Sequence, residues 1–234
     1  MKNYILIHIP HSSLYIPENY KKESLLSSQE LETENLFICD YRVDEFIDDK
    51  SQTIIFPYSR LYCDVERFKD ETETMNKYGM GYIYTKTSTG KLMFNPNAEQ
   101  RKIITDIYDA HHKLLDETVT NILEKYQKCI IIDLHSYSSE LVYRLFNYTS
   151  VPDICIGIEE NYYSEELTNY FKNYFENNGY SVQINYPYTG SLVPNKYYGI
   201  KNTGIVSIMI EVNKRVYEND FDRFKKVLTK SLEF

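Results

Sequence analysis

Residues 129–136 read CIIIDLHS, and this stretch decides the fold class. A cysteine and three isoleucines run without a polar break before Asp133, His135 and Ser136 bring polar chemistry. A short continuous apolar run suits a strand covered on both faces, as in a parallel sheet. Working outward, similar runs recur at 4–9 (YILIHI), 154–158 (ICIGI) and 205–212 (IVSIMIEV), with shorter strand candidates at 53–57 (TIIFP) and 181–185 (SVQIN). Helical spacing lies between them. Residues 28–50 place Leu31, Phe37, Val43, Phe46 and Ile47 as core positions. After Asn97, a helix cap, Ile104, Ile107, Tyr108, His111, Leu114, Leu115, Thr118, Ile122 and Leu123 recur at i, i+3, i+4. Residues 164–178 form a helix stopped by Gly179, and FDRFKKVLTKSL closes the chain as another. Strands alternating with helices imply α/β with a largely parallel or mixed sheet. Residues 60–98 carry Gly79, Gly81, Gly90 and Pro96 and read as a long irregular segment, with GYIYTKT (81–87) alternating as a strand would. No repeat, low-complexity tract or linker breaks the pattern, so one domain is expected over 1–234.

Composition narrows the function classes. Hydrophobic residues make up 42% of the 234, too many for an intrinsically disordered chain. The net charge of −8, with no basic run, argues against a nucleic-acid partner. No apolar run approaches the roughly 20 residues of a membrane span, and the N-terminus reads as a first strand rather than a signal peptide. The four cysteines are scattered without a C-x-x-C, which fits neither a disulfide framework nor a cysteine zinc site; a reduced, cytoplasmic setting is expected.

Three apolar runs end in polar residues that are costly to bury alone: His11, His135 and Glu211. In open α/β sheets ligands bind beyond the carboxyl ends of the strands. Two imidazoles and a carboxylate there are the parts of a metal-dependent hydrolase, and that donor set suits zinc. A further carboxylate is available from Asp40 or Asp44, four apart and therefore on one face of the expected helix. Asp133, two residues before His135, shares its strand face and can orient an imidazole. His8 and His111 read as core histidines, with His112 pointing elsewhere. No G-x-S-x-G elbow marks a nucleophilic serine.

The order of these motifs resembles the N-formylglutamate amidohydrolases. The matching segments are HIPHSSLYIP (8–17), CDYRVDEF (39–46), YSRLYCDVERF (58–68), YGMGYIYTKTSTG (78–90), DAHHKLL (109–115), IIDLHSYSS (131–139), PDICIG (152–157), INYPYTGSLVP (184–194) and SIMIEVNKRVY (207–217). The resemblance implies an α/β, three-layer fold: a mixed, mostly parallel central sheet flanked by helices, phosphorylase/hydrolase-like and related to zinc carboxypeptidases. It implies a zinc-dependent amidohydrolase that cleaves the amide of an N-acyl amino acid, converting N-formyl-L-glutamate to formate and L-glutamate. His11, Asp40 and His135 match the Zn2+ ligands, with Asp44 in reserve, and Glu211 matches the general base. In the zinc carboxypeptidases a Glu follows the first ligand His by three residues; here that position is Leu14, so the carboxylate comes from elsewhere.

Lysine is the habitual cation in this chain, 19 to 7 over arginine, so each Arg invites a question. Guanidinium holds a carboxylate through two parallel hydrogen bonds, which Lys cannot do. Arg60, Arg67 and Arg144 are therefore expected to bind the substrate or its oxyanion, in a locally positive pocket suited to a small dicarboxylate. The alternative for any one of them is an ion pair with Asp64 or Glu66; Arg215 can pair with Glu218. Asn185, Tyr188 and Gly190 are further substrate-binding candidates, Gly190 by letting backbone approach a ligand closely. The competing functions are an amidase or carboxypeptidase-like enzyme on another N-acyl amino acid or peptide, and a non-catalytic binding module on this scaffold.

Overall fold

The structure, a computed structural model, describes residues 2–234. Two compact units divide it. The first comprises the chain up to Ile9, then Arg42–Ile54 and Leu115–Phe234; the second comprises Pro10–Tyr41 and Ile55–Leu114. The strands are β1 (Ile5–Ile9), β2 (Thr53–Ile55), β3 (Cys129–Tyr137), β4 (Ile154–Ile158), β5 (Val182–Ile184) and β6 (Ile205–Asn213). The helices are α1 (Glu18–Lys21), α2 (Ser28–Ile38), α3 (Ala98–Tyr126), α4 (Ser139–Phe146), α5 (Glu165–Asn177), α6 (Lys214–Asn219) and α7 (Phe221–Ser231). No helix among the described residues is long and apolar enough to cross a membrane.

The first unit carries the sheet, all but Ile55 at the end of β2, in the order β2-β1-β3-β6-β4-β5. β1, β3 and β6 run parallel, β4 is antiparallel to β6, and β5 is parallel to β4. The α/β class with a mixed, mostly parallel central sheet flanked by helices is what the sequence implied. The two long apolar runs, β3 and β6, sit at the centre and are buried almost throughout, because both faces are covered. Leu6, Leu115, Val119, Ile131 and Ile205 share one core cluster. α5 packs on β4 and β5, and α6 on β6. Phe46 fills the space beside α7, with ring centroids 5.0 Å from Phe221 and 5.2 Å from Phe224. α4 and α6 span only 8 and 6 residues, too few for a periodic signal, and the sequence had not marked them.

Apart from Ile55, the second unit contains no part of the sheet. α2 opens with a capping box: Ser27 and Glu30 satisfy each other's backbone amides. The helix expected over 28–50 ends at Ile38. Cys39 is extended, Arg42 takes a left-handed φ of 69°, and a 3-10 turn over Val43–Phe46 follows. The Asp40 amide donates to the His11 carbonyl at 2.8 Å rather than back into a helix. Asp40 and Asp44 therefore do not share a helix face. The 81–87 segment is not a strand either: only isolated bridges, Met80 with Tyr84 and Lys86 with Leu92, interrupt a loop. Its backbone instead bonds to neighbouring loop, as where the Tyr82 carbonyl accepts from the Asp64 amide at 2.9 Å.

α3 begins as read, with Asn97 and Gln100 capping each other. Ile104, Tyr108 and Leu115 are buried, but Leu114 is 49% exposed: the apolar stripe is narrower than the pattern suggested. His111 is a core residue, its ring 5.0 Å from that of Phe56. His112 does not point away. It is buried too, and its Nε2 donates to the Val65 carbonyl at 2.7 Å.

Candidate active site

In the first unit, strand register assembles one polar cluster. His135 lies beside Glu211 and Tyr137 beside Asn213 on the parallel pair β3 and β6, while Asp133 lies beside His8 on β1. Register partners share a face and side chains alternate, so Asp133, His135 and Glu211 project from the same face near the carboxyl ends. Cys155 of β4 stands opposite Glu211 on that face. Asp133 is the hub: one oxygen lies 2.9 Å from His8 Nδ1 and 3.1 Å from His135 Nε2, and the other accepts from the Leu192 amide at 3.1 Å. Burial alone would raise the Asp133 pKa, but the imidazoles of His135 and His8 hold its carboxyl well below the usual range. His8, fully buried within its strand, points its Nδ1 at this carboxylate.

The segment after β5 is strapped across this face. Asn185 adopts a positive φ of 53°, donates its amide to Ile156 and accepts from the Ile158 amide at 2.9 Å through its side chain. The Tyr188 carbonyl accepts from the Cys155 thiol at 3.3 Å, and its ring meets that of Tyr137 edge-on at 5.8 Å. Ser207 Oγ donates to the Leu192 carbonyl at 2.5 Å. The strap lies so close that a Cβ on Gly157 would stand 2.2 Å from the Gly190 carbonyl oxygen. Asn185, Tyr188 and Gly190 are therefore anchored over the sheet face that carries Glu211. Arg144 lies apart on α4, paired with Glu140 one turn earlier at 2.6 Å. Arg215 grips Asp153 through Nε and Nη2, at 3.2 and 2.9 Å.

The second unit builds a different cluster from loops. Asp64 is its centre: it accepts from His11 Nε2 at 2.8 Å, from Arg60 Nε and Nη2 at 3.0 and 2.7 Å, and from the Tyr84 hydroxyl at 3.1 Å. Burial opposes its charge, but Arg60, His11 and Arg67 hold the Asp64 carboxyl well below the usual range. For His11, burial and Arg60 disfavour the proton, yet Asp64 and Asp40 outweigh them and its pKa is raised. On the other side of the ring, Nδ1 lies 3.7 Å from Asp40 Oδ2 and 3.8 Å from Glu66 Oε2. Asp44 belongs to the first unit, where Lys50 pairs with it at 3.5 Å; Asp40, in the second, neighbours His11.

Glu66 is a site-lining residue that sequence reasoning treated only as an ion-pair partner. Arg60 and Arg67 both turn to Asp64, Arg67 at 3.7 Å, so Asp40, Asp64 and Glu66 stand against two guanidinium groups. Each unit nonetheless presents an imidazole whose Nε2 faces a buried carboxylate, His11 on Asp64 and His135 on Asp133. That is how proteins orient a metal-binding histidine. The remaining donors, imidazole nitrogen and carboxylate oxygen, suit zinc.

A family model described as N-formylglutamate amidohydrolase matches residues 4–218. The chain belongs to the N-formylglutamate amidohydrolase family. Membership makes it an amidohydrolase, and the matched stretch includes His11, Asp40, His135 and Glu211. The crystal structure of the N-formylglutamate amidohydrolase from Ralstonia eutropha JMP134 is similar with a TM-score of 0.83 at 18% identity, over 97% of this chain and 91% of that one. A gene product from Agrobacterium tumefaciens is similar with a TM-score of 0.70 at 18% identity, over 99% of this chain and 91% of its own. At such identity the likeness establishes the amidohydrolase-family fold. No curated protein matches the chain.

Proposed function

We propose that this member of the family is a zinc enzyme that hydrolyses N-formyl-L-glutamate to formate and L-glutamate. The observation that carries the reading is the register of β3 and β6, which sets a histidine beside a glutamate at the carboxyl ends of two central strands inside the family match. Zinc would be held by the ligand set that the resemblance implies, His11, Asp40 and His135. When bound, it supplies Lewis acidity toward water and the acyl carbonyl. Glu211 takes a proton at its carboxylate as water attacks that carbonyl, and returns it to nitrogen as the C–N bond breaks. Arg60, spent on Asp64, positions that carboxylate and through it His11. Arg67, 27% exposed, is the guanidinium that meets a substrate carboxylate or oxyanion. Asn185, Tyr188 and Gly190 wall the substrate from the strap, and Arg144 is the reserve cation.

One observation favours a second reading of the substrate. Arg60 and Arg67 both pair with Asp64, which suits an N-acyl amino acid with a single carboxylate better than glutamate. Metal content and turnover of N-formyl-L-glutamate, with and without chelator, test the main reading, and a panel of N-formyl and N-acetyl amino acids tests the second. Zinc is expected in the purified protein, and its removal abolishes turnover. Glu211→Gln is expected to keep zinc and lose roughly 10²–10⁴-fold in kcat. Wild-type turnover by that variant would remove Glu211 from its role.

A further inference from the structure

The second unit holds a carboxylate to which the resemblance gives no role. Glu66 lies two residues beyond Asp64, and its amide donates to Asp64 Oδ1 at 3.1 Å, the same oxygen that takes His11 Nε2. One carboxylate therefore fixes both the His11 ring and the backbone of Glu66. With Nε2 turned to Asp64, the ring presents Nδ1 to a second partner. Two carboxylate oxygens wait there, Asp40 Oδ2 at 3.7 Å and Glu66 Oε2 at 3.8 Å. Both separations are those of close charged neighbours. They approach the spacing of two donors on one tetrahedral zinc, about 3.4 Å for bonds of about 2.1 Å. The Glu66 side chain is only 16% exposed, so its charge is largely removed from water.

We propose that Glu66 is itself a ligand of the ion, on the Nδ1 side of His11. The proposal rests on the zinc reading above. It explains an acidic residue beside the arginines that were expected to receive an acidic substrate: the carboxylate is absorbed by the metal instead of repelling the ligand. The competing role is contact with the substrate itself, and the two roles separate experimentally.

The test is zinc affinity of the full chain, measured by competition with a chromophoric chelator, together with the visible spectrum of the cobalt(II)-substituted protein. Wild type, Glu66→Gln, Glu66→Asp and Asp40→Asn are compared, with circular dichroism checking the fold. Glu66→Gln is expected to weaken zinc at least tenfold and to alter the cobalt bands. Glu66→Asp, which keeps the charge, recovers part of both even where the amide variant folds poorly. Unchanged affinity and bands in Glu66→Gln, with a lower KM for N-formyl-L-glutamate, would assign Glu66 to the substrate and overturn the proposal alone. A wild-type protein that takes up no metal overturns the zinc reading and the proposal together.

Discussion

The two histidine–aspartate pairs reach one local geometry by opposite routes. His135 and Asp133 are two residues apart on one strand, and the pleat alone aims them to the same face. His11 and Asp64 are 53 residues apart and meet through loops, held by bonds such as Asp40 amide to His11 carbonyl. The partners differ too. Asp133 meets two imidazoles and a backbone amide, whereas Asp64 compensates two permanently charged guanidiniums. Sheet register supplies position through the backbone, while the loop cluster depends on charge to hold its shape.

That contrast sets the largest predicted effect. Asp64→Asn leaves Arg60 and Arg67 without their counter-charge and should cost about 3–5 kcal/mol. Asp133→Asn keeps a hydrogen-bonding side chain beside two imidazoles and a backbone amide and should cost about 1–3 kcal/mol. Denaturant unfolding of both variants decides the matter. Equal losses would mean that Asp64 is no more of an electrostatic hub than Asp133.

The same difference explains what was legible beforehand. Apolar runs bounded by polar residues are local signals, so β1, β3, β4, β5, β6 and the strand-end placement of His135 and Glu211 could be read directly. The end of α2 could not, because a tertiary bond from Asp40 to His11 ends it, and no local breaker stands at Cys39. The alternation of 81–87 suggested a strand because period-2 patterning does not reveal whether a partner strand exists. Glu66 went unnoticed as a site residue for the same reason. Its proximity to His11 follows from the shared Asp64 oxygen, a contact between distant stretches. The arginines were singled out correctly as unusual, but their pairing with Asp64 was only one of two options in sequence.

A smaller effect tests how tightly the sheet face is covered. An alanine methyl at Gly157 would meet the Gly190 carbonyl oxygen at 2.2 Å and Met209 Cε at 2.3 Å. Backbone cannot swing aside as a side-chain tip can, so Gly157→Ala should cost about 3 kcal/mol, the upper part of the overpacking range. Gly90 lies in the loop-built unit with open space within 4 Å of where a methyl would stand, but at a φ of +84°. Gly90→Ala therefore meets only backbone strain, about 1 kcal/mol. If thermal unfolding shows the two alike, the strap over β4 is looser than its contacts imply.

The smallest effect is a difference in rate. All four cysteines are fully buried, Cys39 and Cys63 in the loop-built unit and Cys129 and Cys155 in the sheet. Burial pushes the thiols up, Cys39 to about 11 and Cys129 and Cys155 to about 12, with Cys63 also well above its ordinary value. The thiolate is the reacting species, so none should alkylate with iodoacetamide at about pH 8 while the protein stays closed. Labelling must then pass through local opening, whose free energy differs between segments. Cys129 and Cys155 lie on central strands paired along both edges, and freeing them requires separating the sheet. Cys39 and Cys63 lie outside the sheet, held by bonds such as Cys39 amide to Asn35 carbonyl at 3.0 Å and Cys63 amide to Ser59 carbonyl at 3.1 Å. Mass spectrometry of timed aliquots should show Cys39 and Cys63 labelled before Cys129 and Cys155. The reverse order would place the more mobile structure in the sheet and undo the distinction between the two units.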